Sequence, residues 1–437
     1  MLAYTGFMKK NKTIHLVLPT GIAVRNALQS SLRRALEVSK YKLNIIIHTH
    51  PNLINLEDKL YEGVEIRPFI SKRRSLIYNT LYIVCQQRFH YVHETTTTRI
   101  LRKQPFSDSL YGKIKYMLAY PFPRSEFLYL FFLKIFTKYF CNDDEIDSIK
   151  KNDIVILNHI TSDSEINYSS RAKQVGAKLI GVVRSFDNIT SKGFMPIRAD
   201  KLLVWNNMMK KEAKMTYGYE ENKIAVIGIP QFDNYKRSER ITTGKKIEIL
   251  YAAQEIKVYP DDIPVVLELG RKLDKNRFNL SVRLNPMDDY DRWIEVSKEI
   301  NILYPSNKYK DFHNRFASDD FICELGEQLG SSDIVINTYS TMALDALAFD
   351  KLVINIDFDY TLRKKSVTRF RNFDHYIPII NSGAIISIKS VDQIIDIIEN
   401  FDRIKLETCQ QRSALKDIYF GPFDGNSGYR ILSESIK

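Results

Sequence analysis

Cysteine is scarce: Cys85, Cys141, Cys323 and Cys409 are the four in 437 residues, and none stands in a CxxC pair or at zinc-like spacing. A disulfide framework and a sequence-encoded metal site are therefore not indicated, and a reducing cytosol is the expected compartment. Long hydrophobic runs are missing too. Nothing approaches the roughly 18 uninterrupted apolar residues of a membrane span, so no transmembrane helix is expected. The opening stretch MLAYTGFMKKNK has too short an apolar part and the wrong flank for a secretory signal. No internal repeat or low-complexity segment stands out. The first strand is not followed by GxGxxG, which argues against a dinucleotide site there.

What is present is an ordinary globular composition, 44% apolar and 27% charged, in a chain long enough for two domains of about 200 residues each. The net charge of +12 is concentrated: residues 65–140 carry 13 Lys plus Arg against 4 Asp plus Glu. That region includes Lys72-Arg73-Arg74, Arg102-Lys103, Lys113 and Lys115, interleaved with aromatics. It ends in Phe127–Phe140 (FLYLFFLKIFTKYF), apolar almost all round except for Lys134 and Lys138, which share a face. This segment is too short to span a bilayer, and Pro121 and Pro123 stop it extending backwards. It reads as a buried helix or as a surface that rests on anionic lipid with aromatic anchors and a basic rim.

The rest alternates strand and helix. Thr13–Leu18 is a strand, Val24–Leu36 a helix and Tyr41–His48 the next strand. Strands recur at Asp153–Asn158, Lys178–Val183, Lys201–Trp205 and Lys223–Ile227. Three of them end in polar loops, His159–Asp163, Ser185–Gly193 and Gly228–Asp233, which parallel strands place on one edge of a sheet. Lys236–Lys246 is polar and aperiodic and reads as a linker. A second α/β half begins at Ile247–Ala252 and continues through Asn279–Leu284, Asn301–Tyr304, Asp333–Asn337, Leu352–Ile356 and Ile385–Ile388, with a closing helix in the tail. The expected division is residues 1–240, with the basic aromatic insertion, and residues 245–437.

Within the second half, Ser332–Asp357 reads as strand, polar loop, helix and strand. The helix behind Asn337–Ser340 turns unpaired N–H groups towards anything bound at the loop, which suits a phosphate or pyrophosphate. Ser340 serves equally well as a plain N-cap. Arg283, ending a strand before Asn285-Pro286, is a second phosphate candidate. His375 stands just before the last strand. In the first half, Arg25 and Asn26 occupy the first helical turn after the Gly21 loop, within reach of an anionic ligand.

Six segments together resemble the GT-B glycosyltransferase superfamily, in particular bacterial surface-carbohydrate enzymes similar in their C-terminal halves to CDP-glycerol glycerophosphotransferases and UDP-GlcNAc 2-epimerases. They are LPTGIAVRN (Leu18–Asn26), RSFDNITSKG (Arg184–Gly193), GIPQFD (Gly228–Asp233), VRLNPMD (Val282–Asp288), SDIVINTYSTMALDALAFDKLVIN (Ser332–Asn355) and HYIPIINSGA (His375–Ala384). The resemblance implies an α/β protein with two Rossmann-like domains facing an interdomain cleft, and a nucleotide donor in the C-terminal half. Tyr339, Ser340 and Thr341 would meet the diphosphate and Asp345 the ribose, with Arg283 and His375 nearby. Thr341 and Asp345 are i,i+4, so one helix face can touch both. The epimerase pattern has glycines at Ser340-Thr341 and Glu at Asp345.

Acceptor binding would fall to Arg25, Asn26 and Asn188. A base for the acceptor hydroxyl would come from His159, Asp163 or Asp187, with Asp187 favoured because its loop can turn tightly; an Asx-turn that only shapes the loop is the alternative. No cofactor or metal is expected; Asp357 and Asp359 come closest to a DxD pair. The expected activity is transfer of a sugar from a nucleotide-sugar to a surface glycan or lipid-linked acceptor, in the cytoplasm or at the inner face of the cell membrane. A CDP-polyol phosphotransferase, a nucleotide-sugar 2-epimerase and a non-catalytic polyanion-binding protein are the alternatives, and no nucleic-acid partner is expected.

Overall fold

The computed structural model describes residues 12–50, 62–71, 75–100, 125–140, 146–158, 160, 165–192, 194–235, 246–305, 319–361 and 366–437. Seven strands build the first sheet: β1 (Thr13–Leu18), β2 (Asn44–Thr49), β3 (Glu65–Pro68), β4 (Ile154–Leu157), β5 (Lys178–Val182), β6 (Lys201–Val204) and β7 (Ile224–Val226). Six build the second: β8 (Ile247–Ala252), β9 (Phe278–Arg283), β10 (Asn301–Leu303), β11 (Ile334–Asn337), β12 (Leu352–Ile356) and β13 (Ile385–Ile388). Their central strands are predominantly apolar, as both faces of a parallel sheet require, with His15, Asn337 and Asn355 as buried polar exceptions. Ile154–Leu157, Ile334–Asn337 and Leu352–Ile356 are buried at every position.

The first sheet runs β3-β2-β1-β4-β5-β6-β7 and the second β10-β9-β8-β11-β12-β13, and every strand pair is parallel. Both follow the 3-2-1-4-5-6 order of Rossmann-type domains. The order reverses between β1 and β4 in one sheet and between β8 and β11 in the other. At such switch points the loops leaving the carboxyl ends diverge and leave room for a ligand.

Several expected elements are shifted. The single helix expected over Val24–Leu36 is two, Gly21–Leu28 and Ser31–Ser39, because Ser30 accepts from the Leu32 amide and starts a new helix. Phe127–Phe140 is not a buried helix. Its α-helical part, Glu126–Ile135, has no buried residue and continues as a π-helical turn, Phe136–Phe140. Only its inner side packs, through Phe132, Ile135 and Phe136, against Tyr78 and Leu81 of the helix Leu76–Val92. The linker expected at Lys236–Lys246 lies outside the described residues except for its last one.

By its contacts the chain divides into Met1–Asp233 with Gly421–Lys437, and Asn234–Phe420. Sequence periodicity keeps the tail with the second half; the contacts give it to the first. Helix Ser427–Ile436 packs along Ser31–Ser39, and Asp233 ties the two together. Its carboxylate accepts from the amides and hydroxyls of Ser31 and Ser427 and from the Gly428 amide. Gly428 fits because a Cβ there would lie 1.8 Å from the Leu32 nitrogen.

Candidate functional site

In the unit Asn234–Phe420 the switch point brings together the loops after β8 and β11. The Gln254 side chain donates to the Thr338 carbonyl at 3.5 Å. Asn337, buried at the end of β11, shapes the second loop: its Nδ2 donates to the Ile354 carbonyl and its Oδ1 accepts the Ser340 amide at 3.1 Å. This Asx-type turn carries Tyr339 into the left-handed region at φ 46°, a conformation rare for a bulky residue and characteristic of functional loops. The helix begins at Met342. Its N-cap is therefore Thr341, which makes no side-chain cap bond, and Ser340, expected as the cap, stands one residue outside it with its hydroxyl accepting the Met342 amide. Tyr376 donates to the Ser340 carbonyl at 2.6 Å and closes the loop from the far side.

Thr341 and Asp345 are not equally available on one face. Thr341 is exposed, whereas Asp345 is buried and accepts from the Tyr235 hydroxyl at 2.6 Å. The carboxylate expected to meet a ribose is thus met by a tyrosine of the same unit. Arg283 is 3% exposed. One guanidinium nitrogen donates to Gln328, the guanidinium carbon lies 5.0 Å from the centre of the Phe321 ring, and Nη2 has no hydrogen-bond partner among the described residues. Burial pulls its pKa down, against the opposing pull of Glu324, Tyr235, Tyr290 and Asp345. A buried donor left unpaired costs on the order of 1–3 kcal/mol, which an anionic oxygen would return.

His375 is buried beside the rings of Phe373 and Tyr376, and its carbonyl accepts from Tyr419. Asp357 is paired with Arg371 at 3.1 Å and Asp359 accepts the Val367 amide. No group of three His, Cys, Asp or Glu is gathered as a metal site among the described residues.

In the unit Met1–Asp233 with Gly421–Lys437, the switch point gathers the loops after β1, β4 and β5. Asn158 donates to the Ala23 carbonyl at 3.2 Å, and Asn26 to the Arg184 carbonyl at 3.4 Å. Arg25 folds back onto the Asn26 side chain. Arg184, which sequence reading passed over inside its motif, adds a second guanidinium beside Arg25. Burial lowers its pKa while Glu165 and Asp187 oppose the shift. Asp187 accepts from the hydroxyls of Ser185 and Ser191, so its carboxylate is oriented by its own loop. His159 and Asp163 lie outside the described residues, as does the side chain of Asn188. Gly228–Asp233, expected as a third polar loop of the site, is instead committed to anchoring the tail through Asp233.

No family model matches the chain. Over 244 residues, 54% of the chain, it is 25% identical to the teichoic acid glycerol-phosphate primase of Bacillus subtilis (strain 168), and it spans 56% of that relative's length. Among solved structures it resembles a UDP-N-acetylglucosamine 2-epimerase (TM-score 0.52, 11% identity, 98% of this chain and 95% of that one). The UDP-GlcNAc 2-epimerase from Neisseria meningitidis bound to UDP-GlcNAc is similarly related (TM-score 0.51, 10% identity, 97% and 99%). These likenesses, with the two parallel sheets, give the chain the GT-B fold.

Proposed function

We propose that the chain is a nucleotide-dependent transferase of bacterial surface-polymer synthesis, and that the unit it moves is a polyol phosphate carried on CDP. The observation that carries this reading is the similarity to a glycerol-phosphate primase over 244 residues. The loop Thr338–Thr341, shaped by Asn337, and the free Nη2 of Arg283 fit a donor pyrophosphate, which needs N–H groups and one buried cation.

In this reading an acceptor hydroxyl attacks the phosphorus that bears the polyol. A new P–O bond forms, the pyrophosphate P–O bond breaks, and CMP leaves. Arg283 and the loop amides balance the charge that gathers on the departing phosphate. The proton of the hydroxyl passes to a base, for which Asp187 is our candidate among the described residues. Arg25 and Arg184 would face an anionic acceptor.

A thermal-shift panel of CDP, UDP, GDP, TDP and CMP tests the donor. A genuine site at a hundredfold excess over Kd stabilises by about 2.7 kcal/mol, and we expect the cytidine nucleotides alone to do so. Product mass tests the chemistry. A phosphodiester-linked unit adds phosphorus, a glycosyl unit does not, and conversion of a nucleotide-sugar without acceptor would reveal an epimerase. Asp187→Ala should abolish transfer while CDP still binds; unchanged turnover removes Asp187 from the mechanism.

Where the acceptor is carried by lipid, the helices Leu76–Val92 and Glu126–Ile135 suit contact with the membrane surface. Leu76, Ile77, Phe127, Leu130 and Phe131 are exposed, and Lys134 and Lys138 lie on the same segment as Phe127. Among the described residues no helix is long and apolar enough to cross a membrane. Co-sedimentation with anionic vesicles, lost in Phe127→Ser/Phe131→Ser, is the expected result.

A further inference from the structure

A hydrogen-bonded chain of buried side chains that the proposed transfer does not use runs along one face of the first sheet. His15 on β1 and His48 on β2 are 0% and 2% exposed. Four contacts link the chain: His15 Nε2 to Asp153 Oδ2 at 3.2 Å, His15 Nδ1 to His48 Nε2 at 3.0 Å, His48 Nδ1 to the Tyr168 hydroxyl at 3.4 Å, and the Ile70 amide to that hydroxyl at 3.1 Å.

With both rings neutral, proton counting from the carboxylate leaves one self-consistent arrangement. Asp153 can only accept as a carboxylate, so His15 Nε2–H donates to it. His15 Nδ1 then accepts His48 Nε2–H, and His48 Nδ1 accepts the Tyr168 hydroxyl proton while Ile70 N–H donates to the Tyr168 oxygen. Both rings are neutral with the proton on Nε2. A second proton on His15 would set two N–H groups against each other across 3.0 Å. One on His48 would displace the Tyr168 proton towards the Ile70 amide.

The two ends of the chain differ. Asp153 also accepts the Lys150 amide at 2.8 Å. It lines a polar pocket of about 480 Å³ at the amino ends of β1 to β4, with Thr13, Asn44, Glu65, Arg67 and Lys150, which gives protons a route in. The other end grips the backbone that leads from β3 to the helix Leu76–Val92. Asn167 donates to the Ile70 carbonyl at 2.9 Å, and Phe69 stacks on Tyr168 at 5.4 Å.

We propose that this chain is an acid-sensitive latch, holding the root of the aromatic helix Leu76–Val92 while both imidazoles are neutral and releasing it when either takes a second proton. The charged groups around it are Asp153 before β4, Glu65 and Arg67 on β3, and Lys150 and Asp147 in the turn that lines the pocket. Arg67 opposes an imidazolium at both rings, while Asp153 and Glu65 favour one at His15. Burial outweighs them and lowers both pKa values, that of His48 to about 3. A released imidazole titrates near 6.5, so each pH unit below that value eases opening by up to about tenfold per ring, until the latched pKa is reached.

The test is histidine NMR on the full chain together with hydrogen exchange at the Ile70 amide, corrected for the intrinsic rate and referenced to amides of β5. We expect both rings as neutral Nε2–H tautomers at pH 7, with Ile70 protection falling at least tenfold between pH 7 and pH 4 while β5 stays protected. His48→Gln keeps an acceptor and a donor without titrating and should flatten the fall. Tyr168→Phe should leave Ile70 open at every pH. An Nδ1–H tautomer on either ring, a ring titrating near 6.5 in the folded chain, or an unchanged slope in His48→Gln overturns the latch. The NMR of the unaltered protein decides if a variant does not fold.

Discussion

The Tyr235 hydroxyl and the Asp345 carboxylate meet at 2.6 Å beside Arg283, so each holds the other in a partly buried setting. Removing the hydroxyl leaves a buried carboxylate short of a donor. Tyr235→Phe should therefore cost about 1–3 kcal/mol, read as a fall of several degrees in the melting temperature. If Asp345 does bind ribose, CDP should restore more of the loss in Tyr235→Phe than in Tyr235→Phe/Asp345→Asn. Arg283 behaves differently, because one of its donors has no partner to lose. Arg283→Met should weaken CDP binding tenfold or more, about 1.4 kcal/mol, with a smaller effect on unfolding. A calorimetric titration giving an unchanged Kd would remove Arg283 from the donor site.

At the scale of elements, the seat of the last helix depends on one missing methyl group. A Cβ on Gly428 would lie 1.8 Å from the Leu32 nitrogen and 2.4 Å from its Cα, and backbone cannot move aside as a side chain can. Gly428→Ala should cost about 3 kcal/mol or more, measured by urea unfolding, whereas alanine at Gly218, with open space but φ +62°, should cost only the modest penalty of a left-handed backbone. Equal losses at the two glycines would contradict this packing. Asn337 works on its loop in a comparable way. Its carboxamide bonds to Ile354 on one side and to Ser340 on the other, so the loop Thr338–Thr341 is set by a strand residue and not by glycine.

At the scale of the molecule, the two units should respond to pH with opposite sign. In the first, His15 and His48 have pKa values lowered by burial. Their contribution to stability is complete above about 6.5 and is lost as pH falls through the range down to about 3. In the second, burial raises Asp262 to about 8 in spite of the Tyr251 hydroxyl, the Gln254 amide and Arg292. Its contribution is complete below about 3.8 and is lost as pH rises towards 8. Calorimetry across this range should show the histidine-bearing unit losing ground in acid and the other in base. Two transitions that move together would contradict both assignments.

Much of this was legible in the chain itself. Apolar β-branched runs such as Ile334–Ile336 and Ile154–Leu157 declare buried parallel strands because only such residues suit a sheet covered on both faces. Their alternation with helices declares two Rossmann-type halves. The loop Thr338–Thr341 and the position of Arg283 at a strand end were readable for the same local reason, since strand ends and helix starts are written in short-range pattern. What lies far apart in sequence was not. Nothing near Asp233 says that it will clasp Ser31 and Ser427, nothing near Asp345 names Tyr235, and His15, His48, Asp153 and Tyr168 look unrelated until the sheet aligns them. The sequence determined the elements and the fold, because hydrophobic period and turn chemistry act over a few residues. Tertiary structure alone decided which side chains each carboxylate meets and to which unit the tail belongs, because those depend on contacts between segments far apart in the chain.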